Sequence, residues 1–306
     1  MADQSDKHAA IHTACLLEAT ARKPGNVHPL AAFADCDWET FAVSAEAIAP
    51  VLAGAASRPL GESILRAVEA TQTRVGRNTN LGMILLLAPL AAVPEDQLIS
   101  IESIAGVLDR TTVEDCRLVY EAIRRAHPGG LGSTKKEDVA AAPTVTLVEA
   151  MRLAADRDAV ARQYANGFAD VLAWSVLFTA ADVQSLEGQI VVRHSEMISR
   201  GLETLIARKC GPTIAAEATR RAAILFTTFL SNEPRIEVAL ADFDAWLRAD
   251  GNRRNPGTTA DLIAASLFVA IRDGRIPCFA ADEVRTYGDA LRRSGGMLPF
   301  PASASR

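Results

Sequence analysis

The sequence predicts an all-α protein: a single multi-helix bundle of about a dozen helices with a buried central helix pair. Three observations carry this. Apolar residues recur with helical rather than alternating spacing along nearly the whole chain, which is dense in Ala, Leu, Glu and Arg. Helix-start signatures recur, as in Thr111 with Glu114, Thr146 with Glu149 and Thr258 with Asp261. No run of β-branched alternation reads as a strand.

The first helix is expected over residues 6–21, where Ile11, Ala14, Cys15 and Glu18 share one face, and Pro24 with Gly25 stops it. Asp37 reads as the N-cap of a helix over 38–55. Further helices are expected at 60–75, 79–92, 96–108 and 112–126, and then at 146–157, 159–180, 184–207, 212–231 and 238–249. The last two are 258–272 and 280–294. The segments 79–92 and 258–272 are apolar nearly all round, as only helices surrounded by other helices are, and so form the predicted central pair. The Gly/Pro-rich connections "PGGLG" (128–132) and "NPG" (255–257) are too short for domain linkers and no repeat appears. Residues 1–306 therefore read as one domain, with 1–5 and 295–306 as loose tails.

A chain of 306 residues, 49% hydrophobic and 23% charged, has the composition of a globular protein with a full core. Its net charge of −5 argues against nonspecific attraction to nucleic acid or an anionic membrane. The five cysteines are scattered without a Cys-x-x-Cys pair, which suggests neither a disulfide framework nor a thiolate metal site. The N-terminal residues read as a polar tail rather than a leader, and the apolar run at 83–93 is half of the roughly 20 residues that cross a bilayer. The expectation is a cytoplasmic protein that works on small molecules; the sequence leaves a homo-oligomer open.

Glu18 places a carboxylate on the apolar side of the first helix, and burying it without a partner costs several kcal/mol. Arg22, at i+4, offers a structural ion pair; a site carboxylate is the alternative. Beyond it, Lys23, Pro24 and Gly25 make a turn with exposed N–H groups beside a cation, an anion cradle by its parts. Asp37 is explained by capping, whereas Asp35 is not, and oxygens at this spacing suit Mg²⁺ bound with substrate phosphates. Cations and helix ends recur together at Arg77, Asn78 and Thr79, at Arg208 and Lys209, and at Arg253, Arg254 and Gly257. Asp261 opens a helix that must be deeply buried. His8 and His12 have metal-binding spacing but no third ligand in view. No nucleophile elbow, Walker loop, Rossmann fingerprint or zinc motif is present. Carboxylates, cations and backbone amides without a covalent nucleophile suit transfer of a phosphorylated group by electrostatic stabilisation and general base catalysis.

The ordered set Glu18, "KPGNV", "DCDWETFAVSA", "NTNLG", "ETLIARKCG" and "NPGTTADL" resembles the triphosphoribosyl-dephospho-CoA synthase family over roughly residues 16–270. The chain departs from the family pattern at Asn80-Leu81, where a His-Lys pair is usual, at Glu203-Thr204 and Ala207–Gly211, and at Thr258. The resemblance implies an all-helical enzyme in which the 2′-hydroxyl of 3′-dephospho-CoA attacks the anomeric carbon of ATP and releases adenine. It further implies that Lys23, Arg208, Lys209 and Arg254 hold phosphates, with Gly25, Asn78, Thr79 and Gly257 contributing to nucleotide binding. Asp35, Asp37 and Asp261 would hold Mg²⁺, and Glu18, with Asp35 and Asp37, would be catalytic. Two other readings are a related phosphoribosyl transferase with a different donor and acceptor, as in building a pterin cofactor side chain, and a non-catalytic nucleotide-binding helical protein.

Overall fold

The computed structural model of the chain describes residues 4–133, 136–231 and 235–295. Among them the chain forms α1 (Gln4–Thr20), α2 (Trp38–Ala53), a short 3₁₀ turn (Ala55–Ser57), α3 (Leu60–Val75), α4 (Leu81–Ala92), α5 (Ile101–Leu108), α6 (Val113–Ala126) and α7 (Leu147–Ala154). There follow α8 (Ala159–Asn166), α9 (Ala169–Ser175), α10 (Val183–Ser199), α11 (Thr204–Cys210), α12 (Pro212–Leu230), α13 (Ile236–Arg248), α14 (Gly257–Arg272) and α15 (Ala281–Ser294). No strand occurs among the described residues; His28 and Ala31 make an isolated bridge. The fold is the all-α bundle that the periodicity predicts.

Two expected helices are each broken in two. Gly167 (φ 67°) and Phe168 (φ 63°) are successive left-handed residues, which no right-handed helix continues through, so 159–180 becomes α8 and α9. Phe168 tolerates that backbone because its side chain is wholly buried. Likewise Gly201 (φ 75°) separates α10 from α11. Of the expected caps, Asp37 forms a capping box with Thr40, and Thr146 forms one with Glu149. The box at α6 lies one residue later than expected, on Thr112 and Asp115. At α14 no side-chain cap forms, because the Thr258 hydroxyl accepts the Leu205 N–H (3.1 Å) of another helix, which leaves Asp261 free. The expected tails fall outside the described residues, apart from positions 4–5, which open α1, and Gly295, which closes α15.

The predicted central pair is observed. Every residue of α4 except Gly82 is buried, and so is all of α14 except Gly257, Asp261 and Arg272. α14 packs against α1, α4, α9 and α10, and the buried apolar residues form one continuous cluster. The stretch Trp38–Ser57 is long and apolar enough to cross a bilayer by length and composition, but more than half of it is buried within the bundle, against α1, α3 and α4. Of these exceptions, Gly82, Gly257 and Asp261 lie near the helix N-termini and border one cavity, while Arg272 lies at the far end of α14.

Candidate functional site

A cavity of about 1130 Å³ opens where the first turns of α4, α8 and α14 meet α11 and the connections before α2, after α6 and before α14. Local chemistry fixes its edges. Asn78 starts α4 by accepting the Leu81 N–H (3.1 Å); the Thr79 hydroxyl is 2.6 Å from that of Ser44; Thr71 donates to the buried Asn80 side chain (3.1 Å). Asp158 caps α8 by accepting the N–H groups of Val160 and Ala161. Three helix N-termini therefore border one space.

Its inner wall is acidic. Glu18, Asp158 and Asp261 all border the cavity. Burial first, and then the charges of Glu18, Glu203 and Asp158, hold Asp261 well above the usual carboxylate range, with Arg208 opposing them. No hydrogen bond or ion pair reaches the Asp261 carboxylate among the described residues. It lies directly over Gly82, where a Cβ would overlap its oxygens. Gly82→Ala is accordingly expected to displace Asp261 and cut activity at least about 10²-fold while the helical circular-dichroism signal is kept, since misplacing a reacting group by about 1 Å costs that much.

Glu18 is itself buried, and its Oε1 lies 2.9 Å from the Lys23 ammonium, which also hydrogen-bonds to the Glu18 carbonyl oxygen. Burial raises the Glu18 proton affinity and Lys23 opposes the rise. Behind the wall, Glu203 accepts from the N–H groups of Leu205 (2.7 Å), Ile206 (3.2 Å) and Thr259 (3.0 Å) and from the Thr259 hydroxyl (3.1 Å). One buried carboxylate thereby ties the starts of α11 and α14 together. Asn26, at the cavity wall, contacts the wholly buried His194 (3.1 Å), whose imidazole burial and Lys23 push down to about 3, so it is neutral.

The rim is basic but each arginine has an acidic neighbour. Arg77 pairs with Asp35 (3.0 Å), Arg208 with Asp158 (3.4 Å) and Arg253 with Asp250 (3.8 Å). Lys209 instead donates to the neutral Asn255 side chain (2.9 Å), and burial lowers its proton affinity.

The structure thus brings Glu18, Asp35, Asn78, Thr79, Arg208, Lys209, Gly257 and Asp261 to one cavity, as their residue types suggest, and corrects the rest. Asp37 is an exposed N-cap outside the cavity wall, and its bonds from Thr40 keep its carboxyl low, so it joins no metal cluster with Asp261. Lys23 is spent on Glu18 and does not face the cavity; Arg22, the partner expected for Glu18, instead forks onto Glu187 (2.7 and 3.0 Å). Gly25 donates its N–H to Asp244 (2.7 Å) and its bare Cα packs on Leu247 and Pro256, so it cradles no anion. Arg254 lies over the Trp246 ring (4.6 Å) and donates to the Trp246 carbonyl; Arg253 takes its place at the rim. Sequence reasoning did not single out Asp158 or His194, and it met Asn26 only within "KPGNV" and the 127–131 loop only as the connection "PGGLG". Only the paired glycines of that loop carry a local signal.

The profile of the CitG family, ATP:dephospho-CoA triphosphoribosyl transferase, matches residues 5–277. No curated protein sequence matches the chain. A crystal structure from Archaeoglobus fulgidus, of a protein provisionally assigned as a triphosphoribosyl-dephospho-CoA synthase, is similar with a TM-score of 0.60 and 27% identity. The match covers 76% of this chain and 98% of that one. A helical bundle whose acids and cations converge from the family's motifs, together with a profile match over most of its length, places this chain in the ATP:dephospho-CoA triphosphoribosyl transferase family of enzymes.

Proposed function

We propose that the cavity transfers the 5-triphosphoribosyl group of ATP to the 2′-hydroxyl of 3′-dephospho-CoA and releases adenine. The observation that carries this is that one cavity joins an acidic wall of Glu18 and Asp261 to a basic rim of Arg77, Arg208, Lys209 and Arg253, with Asp158 paired to Arg208. Its volume of about 1130 Å³ exceeds the usual range for a single small ligand, roughly 300–1,000 Å³, and suits two substrates held together.

In the reaction the acceptor oxygen forms a bond to the anomeric carbon as the carbon–N9 bond breaks. The bonding pair leaves with adenine, which takes up a proton, and the acceptor hydroxyl gives up its own. The ribose carries oxocarbenium character at the midpoint, which fixed carboxylates at the inner wall stabilise. Glu18 accepts the hydroxyl proton; its raised proton affinity suits that role, and Lys23 holds it in place. Glu18→Gln should lower turnover by about 10²–10⁴-fold.

The four cavity cations are matched by four acids, Glu18, Asp35, Asp158 and Asp261, so the protein alone does not neutralise a tetra-anionic triphosphate. Asp261, free of hydrogen bonds from the described residues and held above the usual carboxylate range, fits a divalent cation; Asp35, paired with Arg77 at the rim, and Asp37 do not share its position. Mg²⁺ held by Asp261 and the substrate's phosphate oxygens would supply the missing positive charge. The test is incubation with ATP, Mg²⁺ and dephospho-CoA, followed by chromatography. Free adenine and an acceptor heavier by one triphosphoribosyl group are expected. Adenine without a heavier CoA species would assign the chain another acceptor, and no adenine with any acceptor would overturn the reading.

A further inference from the structure

We infer that the glycine loop at 128–131, acting with Lys209, is the subsite for the end of the donor's phosphate chain, and so sets the enzyme's preference for a triphosphate over shorter donors. This rests on the function proposed above and gives the bound donor a direction: ribose toward Glu18 and Asp261, phosphate tail toward the loop.

Four observations support it. Pro128, Gly129, Gly130 and Leu131 form part of the cavity wall beside Lys209 and Arg208. The two glycines permit that closeness: a Cβ on Gly129 would sit 3.1 Å from Lys209 Cε and 3.7 Å from its Nζ, and one on Gly130 would meet Lys209 Cγ at 3.1 Å and Arg208 Cβ at 3.4 Å. Gly130 also adopts φ 74°, which side-chain-bearing residues reach at a cost. Among the described residues, no protein acceptor takes the backbone N–H of Gly129 or Gly130, while Leu131 closes the turn that spans them. Backbone donors left open at a cavity wall need a ligand or water, and beside an ammonium the ligand they suit is a phosphate oxygen.

Lys209 separates this place from the rest of the rim. Arg77, Arg208 and Arg253 each have a carboxylate within 4 Å, whereas among the described residues the Lys209 ammonium has none and is bonded to a neutral amide. Beyond the phosphate oxygens that would share Mg²⁺ with Asp261, the inner carboxylates repel phosphate, so the end of the tail is driven to the side of the cavity where Lys209 and the open amides lie.

The experiment compares wild type, Lys209→Met and Gly129→Ala, first confirming by thermal midpoint that each is folded. Adenine release is measured with ATP, ADP and AMP as donors, and calorimetry gives the affinity of each nucleotide and of dephospho-CoA alone. Losing a charged hydrogen bond predicts a fall of about 10- to 100-fold in kcat/KM and in affinity for ATP. AMP and dephospho-CoA should be nearly unaffected, and the triphosphate preference should collapse. Equal losses for ATP and AMP, unchanged ATP binding, or a loss confined to dephospho-CoA, whose diphosphate is the other phosphate source, would each overturn the assignment. If Gly129→Ala does not fold, Lys209→Met decides. If wild type releases no adenine from any donor, the proposed reaction fails, yet the ATP-to-AMP affinity ratios still decide where the phosphate tail binds.

Discussion

Lys23→Met should lower the unfolding free energy by about 3–5 kcal/mol, because it leaves the buried Glu18 carboxylate with no partner. Lys23 is wholly buried and spends its ammonium on the Glu18 carboxylate and on the carbonyl oxygens of Glu18 and Ala21. At about 2–4 °C per kcal/mol for a large domain, the thermal midpoint should fall by roughly 10 °C. Adding Glu18→Gln to the same chain removes the stranded charge and should restore much of that loss, though not activity. The outcome opposes what the motif suggests: a phosphate-binding lysine would lose affinity and keep its stability. Calorimetric melting of the single and double variants decides between them, and an unchanged midpoint for Lys23→Met would show that the pair contributes nothing to the fold.

The second large effect is at Asp261, where loss of function and gain of stability should go together. Burial and the neighbouring acids raise its proton affinity in the native chain, so ionising it opposes folding. The sign follows from linkage. Below the carboxyl range of the unfolded chain, near pH 3.9, the group is protonated in both states and contributes nothing. As pH rises through that range the unfolded chain loses its proton first, and native stability falls until the native carboxyl also ionises. Asp261→Asn removes this penalty. At pH 7 the ligand-free variant should melt a few degrees above wild type, with the difference fading toward about pH 4, while adenine release falls by at least about 10²-fold. Mg²⁺ with ATP should stabilise wild type and not the variant. A variant that melts lower at every pH would show that Asp261 is a structural group.

Much of the fold is local and therefore legible. The 3.6-residue spacing on α1 buries Ile11, Ala14, Cys15 and Glu18 as it predicts, and the apolar segments that become α4 and α14 lie at the centre. What escaped was decided by packing and by which partner claims each polar group. Thr258 and Asp261 have the spacing of a capping box, yet Leu205 claims the Thr258 hydroxyl and α14 starts without one. Lys23 and Gly25 form an anion cradle on paper, but Glu18 and Asp244 are their partners. Arg254 looks like a phosphate ligand until Trp246 is placed beneath it. Asp158 carries only the signal of an ordinary helix cap, and nothing local distinguishes it from Asp37; only packing brings one to the cavity and leaves the other in solvent. Gly82 stands in sequence only as the end of "NTNLG", because its value lies in the Asp261 carboxylate above it.

The central claim is that one cavity, bounded by Glu18, Asp261 and Lys209, holds the nucleotide with its ribose against the acids and its phosphates against the base-bearing rim. A crystal structure of the protein with Mg²⁺ and a non-reacting ATP analogue tests this most directly. The predicted result is nucleotide density in this cavity with the anomeric carbon facing Glu18 and Asp261; density at any other place on the bundle, or with phosphates against the acidic wall and no metal between them, would contradict it.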